Sequence, residues 1–272
     1  MSGRVLCSTG TMIGRPNGRN HKLLAGFAPK LTSDGFEFMI YDTWYPRLRE
    51  VISDVSSMGL IIPTVHCEKG IGELLTLGKA GEAEEYFARN CEAAAKLGAG
   101  LLVLHLWNGI PSDSNFALNV KGFLRFQEIA RSMGLLLTVE NVVCNHKDPM
   151  TRQRELLRYG ASFTFDTKMA AFHGQLNGLF APENSGILKN VRHLHINDYG
   201  GGYMDWKNLR TLHIGEGKID FEEFFGKLPA DYDGDFTIES TAFSSDGSVD
   251  LEKLNEDVAK VRAFIAKKSD KT

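Results

Sequence analysis

Short runs of apolar, β-branched or aromatic residues alternate along this chain with longer stretches whose apolar positions recur at helical spacing. The runs that read as strands are Val5–Ser8, Phe36–Tyr41, Ile61–His66, Leu101–Leu106, Leu135–Val139, Ser162–Phe165, Val191–Ile196 and Phe236–Glu239. Between them the spacing predicts helices such as Tyr45–Met58, Glu82–Leu97, Phe116–Met133 and Thr151–Tyr159. Gly59, Gly98 and Gly134 follow three of these where a left-handed C-terminal cap belongs. Asp220 with Glu223, ahead of Phe224 and Phe225, has the pattern of a capping box. Repeated strand-then-helix units imply parallel strands with helical crossovers, and eight of them favour one closed (β/α)8 TIM barrel, class α/β, over residues 1–272. The alternative, a doubly wound open sheet, needs GxGxxG after its first strand, and Ser8–Gly14 lacks that spacing. The irregular segments Gly10–Asn20 and Tyr199–Asn208 read as loops over the barrel mouth.

Composition narrows the setting without choosing the chemistry. At 43% hydrophobic and 24% charged the chain has material for a substantial core. A formal net charge of -3 supplies no overall positive field for nucleic acid or acidic membrane. The start, MSGRVLCSTGTM, has no basic and apolar leader, so a cytoplasmic location is expected. Four cysteines (Cys7, Cys67, Cys91 and Cys144) form no CxxC pair and read as reduced buried thiols.

The candidate chemistry lies where the strands end. Glu140 closes LLLTVE, Asp166 closes SFTFD, His195 lies in VRHLHIND, and Glu239 closes GDFTIE. His66 ends IIPTVH, His105 lies near the end of LLVLHLW, and His213 follows in TLHIGEGKIDF. Singly, each reads more simply as a hydrogen-bonded structural residue or a solvated loop acid. Their recurrence on successive strands changes the balance, because strand ends of a parallel barrel share one cavity. Carboxylates gathered there without a cation force some to stay protonated. Three carboxylates and an imidazole make a hard site for one divalent metal: Mn2+, Mg2+ or Co2+, with Zn2+ as the alternative.

TVEN, the FTFD strand end, HLHIND and HIGEGKIDF together resemble the xylose-isomerase-like TIM barrels, from His66 to Glu239. That superfamily includes ketose epimerases, inosose dehydratases, hydroxypyruvate isomerases and the endonuclease IV type of abasic-site nuclease. The resemblance implies a single-metal site of Glu140, Asp166, His195 and Glu239, with Glu140 and Glu239 also acting as an acid/base pair. In the nuclease branch, residues like His66 and His105 hold an additional zinc bridged through the residue matching Glu140. Its third metal needs a His and an Asp where this chain has Met169 and Thr211. Met169 also replaces a His that helps hold substrate in many epimerase-like members.

The expectation is therefore a metal-dependent isomerase or epimerase acting on a small sugar or hydroxy-carbonyl compound through an enediolate. A zinc phosphodiesterase on abasic DNA and an inosose-type dehydratase are the alternatives, and a non-catalytic sugar-binding barrel is a third. Trp107, Asn141, Lys168 and His213 are the candidate substrate contacts, and Trp44, Tyr203 and Trp206 are further aromatics near strand ends. A small carbohydrate is the expected partner, nucleic acid and membrane are not, and a homo-oligomer fits barrels of this kind.

Overall fold

A computed structural model describes residues 3–269 of the chain. Eight parallel strands close into a barrel in sequence order. They are β1 (Val5–Ser8), β2 (Phe36–Met39), β3 (Thr64–His66), β4 (Leu101–Leu104), β5 (Leu136–Glu140), β6 (Ser162–Asp166), β7 (Val191–Ile196) and β8 (Asp235–Ile238), with helices between them. This is the (β/α)8 architecture that the alternation predicts. The strands sit where the pattern puts them, with ends shifted by a few residues. β3 begins at Thr64 rather than Ile61 because Pro63 has no N–H to give a ladder. The first predicted helix begins as a 3-10 segment, Asp42–Arg47, and becomes α-helical only at Leu48–Ser57, past Pro46. Gly59, Gly98 and Gly134 all adopt positive φ, as caps should. Asp220 accepts the Glu223 N–H at 2.9 Å, half of the expected capping box on the helix Phe221–Lys227, while the Glu223 carboxylate pairs with Lys227 instead.

The chain divides into two compact units, Glu37–Thr164 and Met1–Phe36 with Phe165–Thr272. In the first, Phe87 and Phe126 stack at 4.2 Å between the helices Ala80–Leu97 and Phe116–Ser132. Inside the strands, the Thr138 and Thr164 hydroxyls bond each other at 2.7 Å, which satisfies two polar groups that the core would otherwise leave unpaired. In the second unit, Phe225 lies between Phe236 of β8 and Phe264 of the helix Leu251–Ser269, at 5.5 and 5.3 Å. Among the described residues, no helix is long and apolar enough to cross a membrane.

Two features of the first unit set the end of β4. A Cβ on Gly72, in the helix Ile71–Thr76, would lie 2.2 Å from the His105 carbonyl oxygen. Only glycine lets that helix approach so closely. Buried Asn119 then ties the same helix to the strand end, donating to Leu106 O at 2.7 Å and Thr76 Oγ1 at 2.9 Å. The second feature is Asp113, fully buried, which accepts from the backbone N–H of Asn145, His146 and Lys147 and pairs with Arg152 at 2.6 Å. Burial pushes its carboxyl up, but those hydrogen bonds and the guanidinium outweigh it and hold it below the usual carboxylate range.

Gly72→Ala should lower unfolding free energy by about 1–3 kcal/mol in urea titrations. Gly81→Ala, in the helix Ala80–Leu97 with open space around the added methyl, should instead gain about 0.4–1 kcal/mol. Equal effects of the two would contradict the close-approach argument. A depressed folded-state pKa at Asp113 contributes stability present above the unfolded value, ~3.9, and lost as pH falls through the folded one. Asp113→Asn should therefore cost about 3 kcal/mol at pH 7, and the gap to wild type should close as the solution is acidified below ~4. A gap independent of pH would show that the carboxylate charge is not what matters.

Candidate active site

In the unit Glu37–Thr164, the ends of three consecutive strands bring together His66, His105 and Glu140. All three are buried, and their ligand atoms lie within 4.8 Å of one another. Both imidazoles turn Nε2 toward one oxygen, Glu140 Oε2, His66 at 3.2 Å and His105 at 2.8 Å. The outer nitrogens separate their roles. His66 Nδ1 donates to the Cys67 carbonyl at 2.7 Å, so in the neutral ring Nε2 carries a bare lone pair. Facing a carboxylate oxygen, that lone pair needs a proton or a cation between the two. A ring whose far N–H is tied to a backbone carbonyl is the usual state of a metal-binding histidine. His105 Nδ1 is buried without a partner, so its proton sits best on Nε2, donated to Glu140. Burial lowers the His105 pKa to about 4 against the opposing pull of Glu140, which keeps the ring neutral near pH 7.

In the second unit, Asp166 at the end of β6, His195 in β7 and Glu239 one residue past β8 also place ligand atoms within 4.8 Å of one another. Glu239 keeps the strand course, its N–H bonding Ile196 O at 3.1 Å. Asp166 caps the helix Thr167–Phe172, accepting the Met169 N–H at 2.6 Å through Oδ1. Its other oxygen accepts from Asn197 Nδ2 at 3.1 Å, and the same amide nitrogen lies 3.4 Å from Glu239 Oε2. His195 Nδ1 lies 3.4 Å from that Glu239 oxygen. One amide cannot neutralise two carboxylates, whereas a divalent cation on two acids and an imidazole does. The donor set thus fits a metal on chemical grounds. Asn197 is a site residue that the strand-end argument passes over. It stands two residues after His195 in HIND, and an amide there differs in type from the acids and imidazoles that drew attention.

Other predicted residues fall in varied surroundings. Asn141 is buried beside Glu140. Lys168 lies in the first turn of the helix Thr167–Phe172, where its backbone N–H donates to Asn197 Oδ1 at 3.1 Å. Trp107 is fully buried, its indole N–H donating to Val142 O at 3.1 Å and its ring edge against Phe116. Trp44 is likewise buried, while Tyr203 and Trp206 are exposed, with Trp206 edge-on to buried Phe172 at 5.1 Å. Glu37 lies inside β2 and is fully buried. His213 is held by Asp257, with Nδ1 to Oδ2 at 2.7 Å. The four cysteines are buried and form no disulfide with one another, and burial pushes the Cys67 thiol well above its ordinary range, which disfavours the thiolate.

Asp198, also in HIND, is withdrawn from chemistry. Its carboxylate accepts backbone N–H groups from Tyr199, Gly215, Gly217 and Ile219, at 2.7–3.1 Å. A Cβ on Gly217 would stand 2.3 Å from Asp198 Oδ1, so the second glycine of HIGEG is required by this clamp.

The comparisons with known proteins agree with the fold. The 3-keto-D-glucoside 4-epimerase YcjR from E. coli, in its apo form, superposes with a TM-score of 0.70 at 17% identity, covering 96% of this chain and 100% of its own. A D-tagatose 3-epimerase-like protein gives 0.73 at 18% identity, with 98% and 99% covered. The D-allulose 3-epimerase from Methylomonas sp. gives 0.68 at 16% identity, with 97% and 98% covered. At these identities the likeness establishes the fold. No curated protein matches the sequence. The profile of the xylose isomerase-like TIM barrel matches residues 26–267, and the chain belongs to that family.

Proposed function

We propose that this chain is a metal-dependent isomerase or epimerase of a small sugar or related hydroxy-carbonyl compound. The observation that carries the reading is a strand-end acid, Glu239, beside Asp166 and His195, with a second buried acid, Glu140, at the end of β5. Carboxyl ends of parallel barrel strands form the working face of such folds. Three solved structures of similar fold bear the names of sugar epimerases or an epimerase-like protein.

In this reading Glu140, Asp166, His195 and Glu239 hold one divalent cation, of which Mn2+, Mg2+ and Co2+ suit the oxygen-rich set. A cation held by these residues would supply Lewis-acid polarisation of substrate oxygens. Glu140 and Glu239 exchange the proton on the carbon next to the carbonyl, one removing it and the other returning it. Glu239 is the more open of the two, its side chain 13% exposed against 3% for Glu140. Asn197 keeps the Asp166 and Glu239 carboxylates turned toward each other, and the His105 N–H steadies Glu140. His66, His105 and Glu140 together offer a second cation place, which a two-zinc phosphodiesterase would need. The bare environment of His105 Nδ1 counts against it, because a metal-bound His105 would have to put its proton there.

Elemental analysis of untagged protein should find about one ion per chain, the stoichiometry of this single four-ligand set. Two or more zinc ions, with cleavage of an abasic oligonucleotide, would move the assignment to a phosphodiesterase. Glu239→Gln should slow deuterium incorporation from D2O into a panel of ketoses and inososes by at least ~10²–10⁴-fold, while the circular dichroism spectrum stays unchanged. Exchange at the wild-type rate in that variant would remove the acid/base assignment.

A further inference from the structure

One pair of titratable groups in the second unit is left unused by that mechanism. His213 Nδ1 meets Asp257 Oδ2 at 2.7 Å, and Asp257, on the helix Leu251–Ser269, is fully buried. Its second oxygen accepts the Ile214 N–H at 3.1 Å, so carboxylate, ring and backbone lock together. Lys260 stands 3.7 Å from that same oxygen and donates to Ile214 O at 2.6 Å.

The loop that carries His213 is tied to the strand ends of the site. Leu212 bridges Asp198, three residues past His195, and the Thr211 hydroxyl bonds that of Thr241 at 2.8 Å, two residues past Glu239. The Asp198 clamp holds the remainder of the loop. His213 is 8% exposed, and its Nε2 has no protein partner among the described residues. A desolvated carboxylate fixing one edge of an imidazole and leaving the other edge open resembles the support that functional imidazoles receive.

We propose that His213 binds a hydroxyl group of the substrate through Nε2, with Asp257 as the positioning residue that sets the ring's tautomer. The inference rests on the isomerase reading and deepens it: the substrate presents a hydroxyl, rather than an anionic group, to His213. With the Nδ1 proton given to Asp257, the neutral ring offers only a lone pair at Nε2. A hydroxyl satisfies that lone pair by donating to it. A fully ionised phosphate or carboxylate has no proton to donate and meets the lone pair with the Asp257 charge behind it. A purely structural dyad, tying the loop to the helix, would be indifferent to which nitrogen carries the proton.

Asp257→Asn tests this difference, because an amide that donates to Nδ1 moves the ring proton to Nε2 while nearly preserving shape. In the full chain with Mg2+ and 15N-labelled histidine, wild-type His213 should show a protonated Nδ1 and a bare Nε2, and Asp257→Asn the reverse. D-tagatose, D-allulose or D-fructose should shift the wild-type Nε2 resonance, and inorganic sulfate, which has no proton to donate, should not. His213→Gln and Asp257→Asn should each bind the responding ketose about tenfold more weakly or worse, near the cost of one lost hydrogen bond. Unchanged melting temperatures would separate this loss from unfolding. An Nε2 resonance that no ketose moves, an equal response to sulfate, or unchanged affinity in both variants would each overturn the inference. Ketose binding at His213 without deuterium exchange would uphold it and sink the isomerase reading. Deuterium exchange with a silent His213 would do the opposite.

Discussion

One buried carboxylate governs much of the second unit's loop structure. Asp198 gathers the backbone N–H groups of Tyr199, Gly215, Gly217 and Ile219, so the segment after β7 has little freedom beside the strand that carries His195. The arrangement is stable because a charged acceptor bound to several backbone donors recovers the solvation lost on burial. It also explains the local sequence, since HIGEG needs glycine where the chain passes closest to that carboxylate. His213 acquires its orientation from this clamp on one side and from Asp257 on the other.

The acids of the chain divide by what their oxygens already hold. Asp113 and Asp198 are saturated by backbone donors, and Asp113 has a guanidinium as well. Glu140 and Glu239 instead face imidazoles and a side-chain amide, and Asp166 accepts one backbone N–H together with the Asn197 amide. Acids held by backbone donors build loops, and those gathered with imidazoles stand in clusters that could hold a cation. The imidazoles divide in the same way. Cys67 O accepts the Nδ1 proton of His66 and Asp257 that of His213, whereas His105 has no partner at Nδ1 and serves Glu140 as a donor.

Rigid supports recur beneath the exposed parts of the site region. The Tyr199 hydroxyl bonds Gly202 O at 2.8 Å, and Met204 N–H bonds Phe172 O at 2.8 Å, so the loop bearing Tyr203 and Trp206 is braced from within. Asn119 and the glycine approach at position 72 do the same for the end of β4. In each unit, side chains held this way need little further ordering.

Much of this was legible from residue order. Alternating strand and helix patterns gave the barrel, Gly59, Gly98 and Gly134 marked helix ends, and the acids and histidines at strand ends pointed to the polar clusters. Those signals are local, since period, cap and strand terminus are properties of a few neighbouring residues. What each polar group does depended on partners far away in sequence. Asp198 meets residues 17 to 21 positions on through Gly215, Gly217 and Ile219, and His213 meets Asp257 44 positions on. Asn197 matters through Asp166 and Glu239, 31 and 42 positions away. Sequence alone therefore determined the scaffold and the candidate acids and imidazoles. Tertiary structure decided which groups each of them meets, because hydrogen-bond partners are set by the atoms that folding brings alongside.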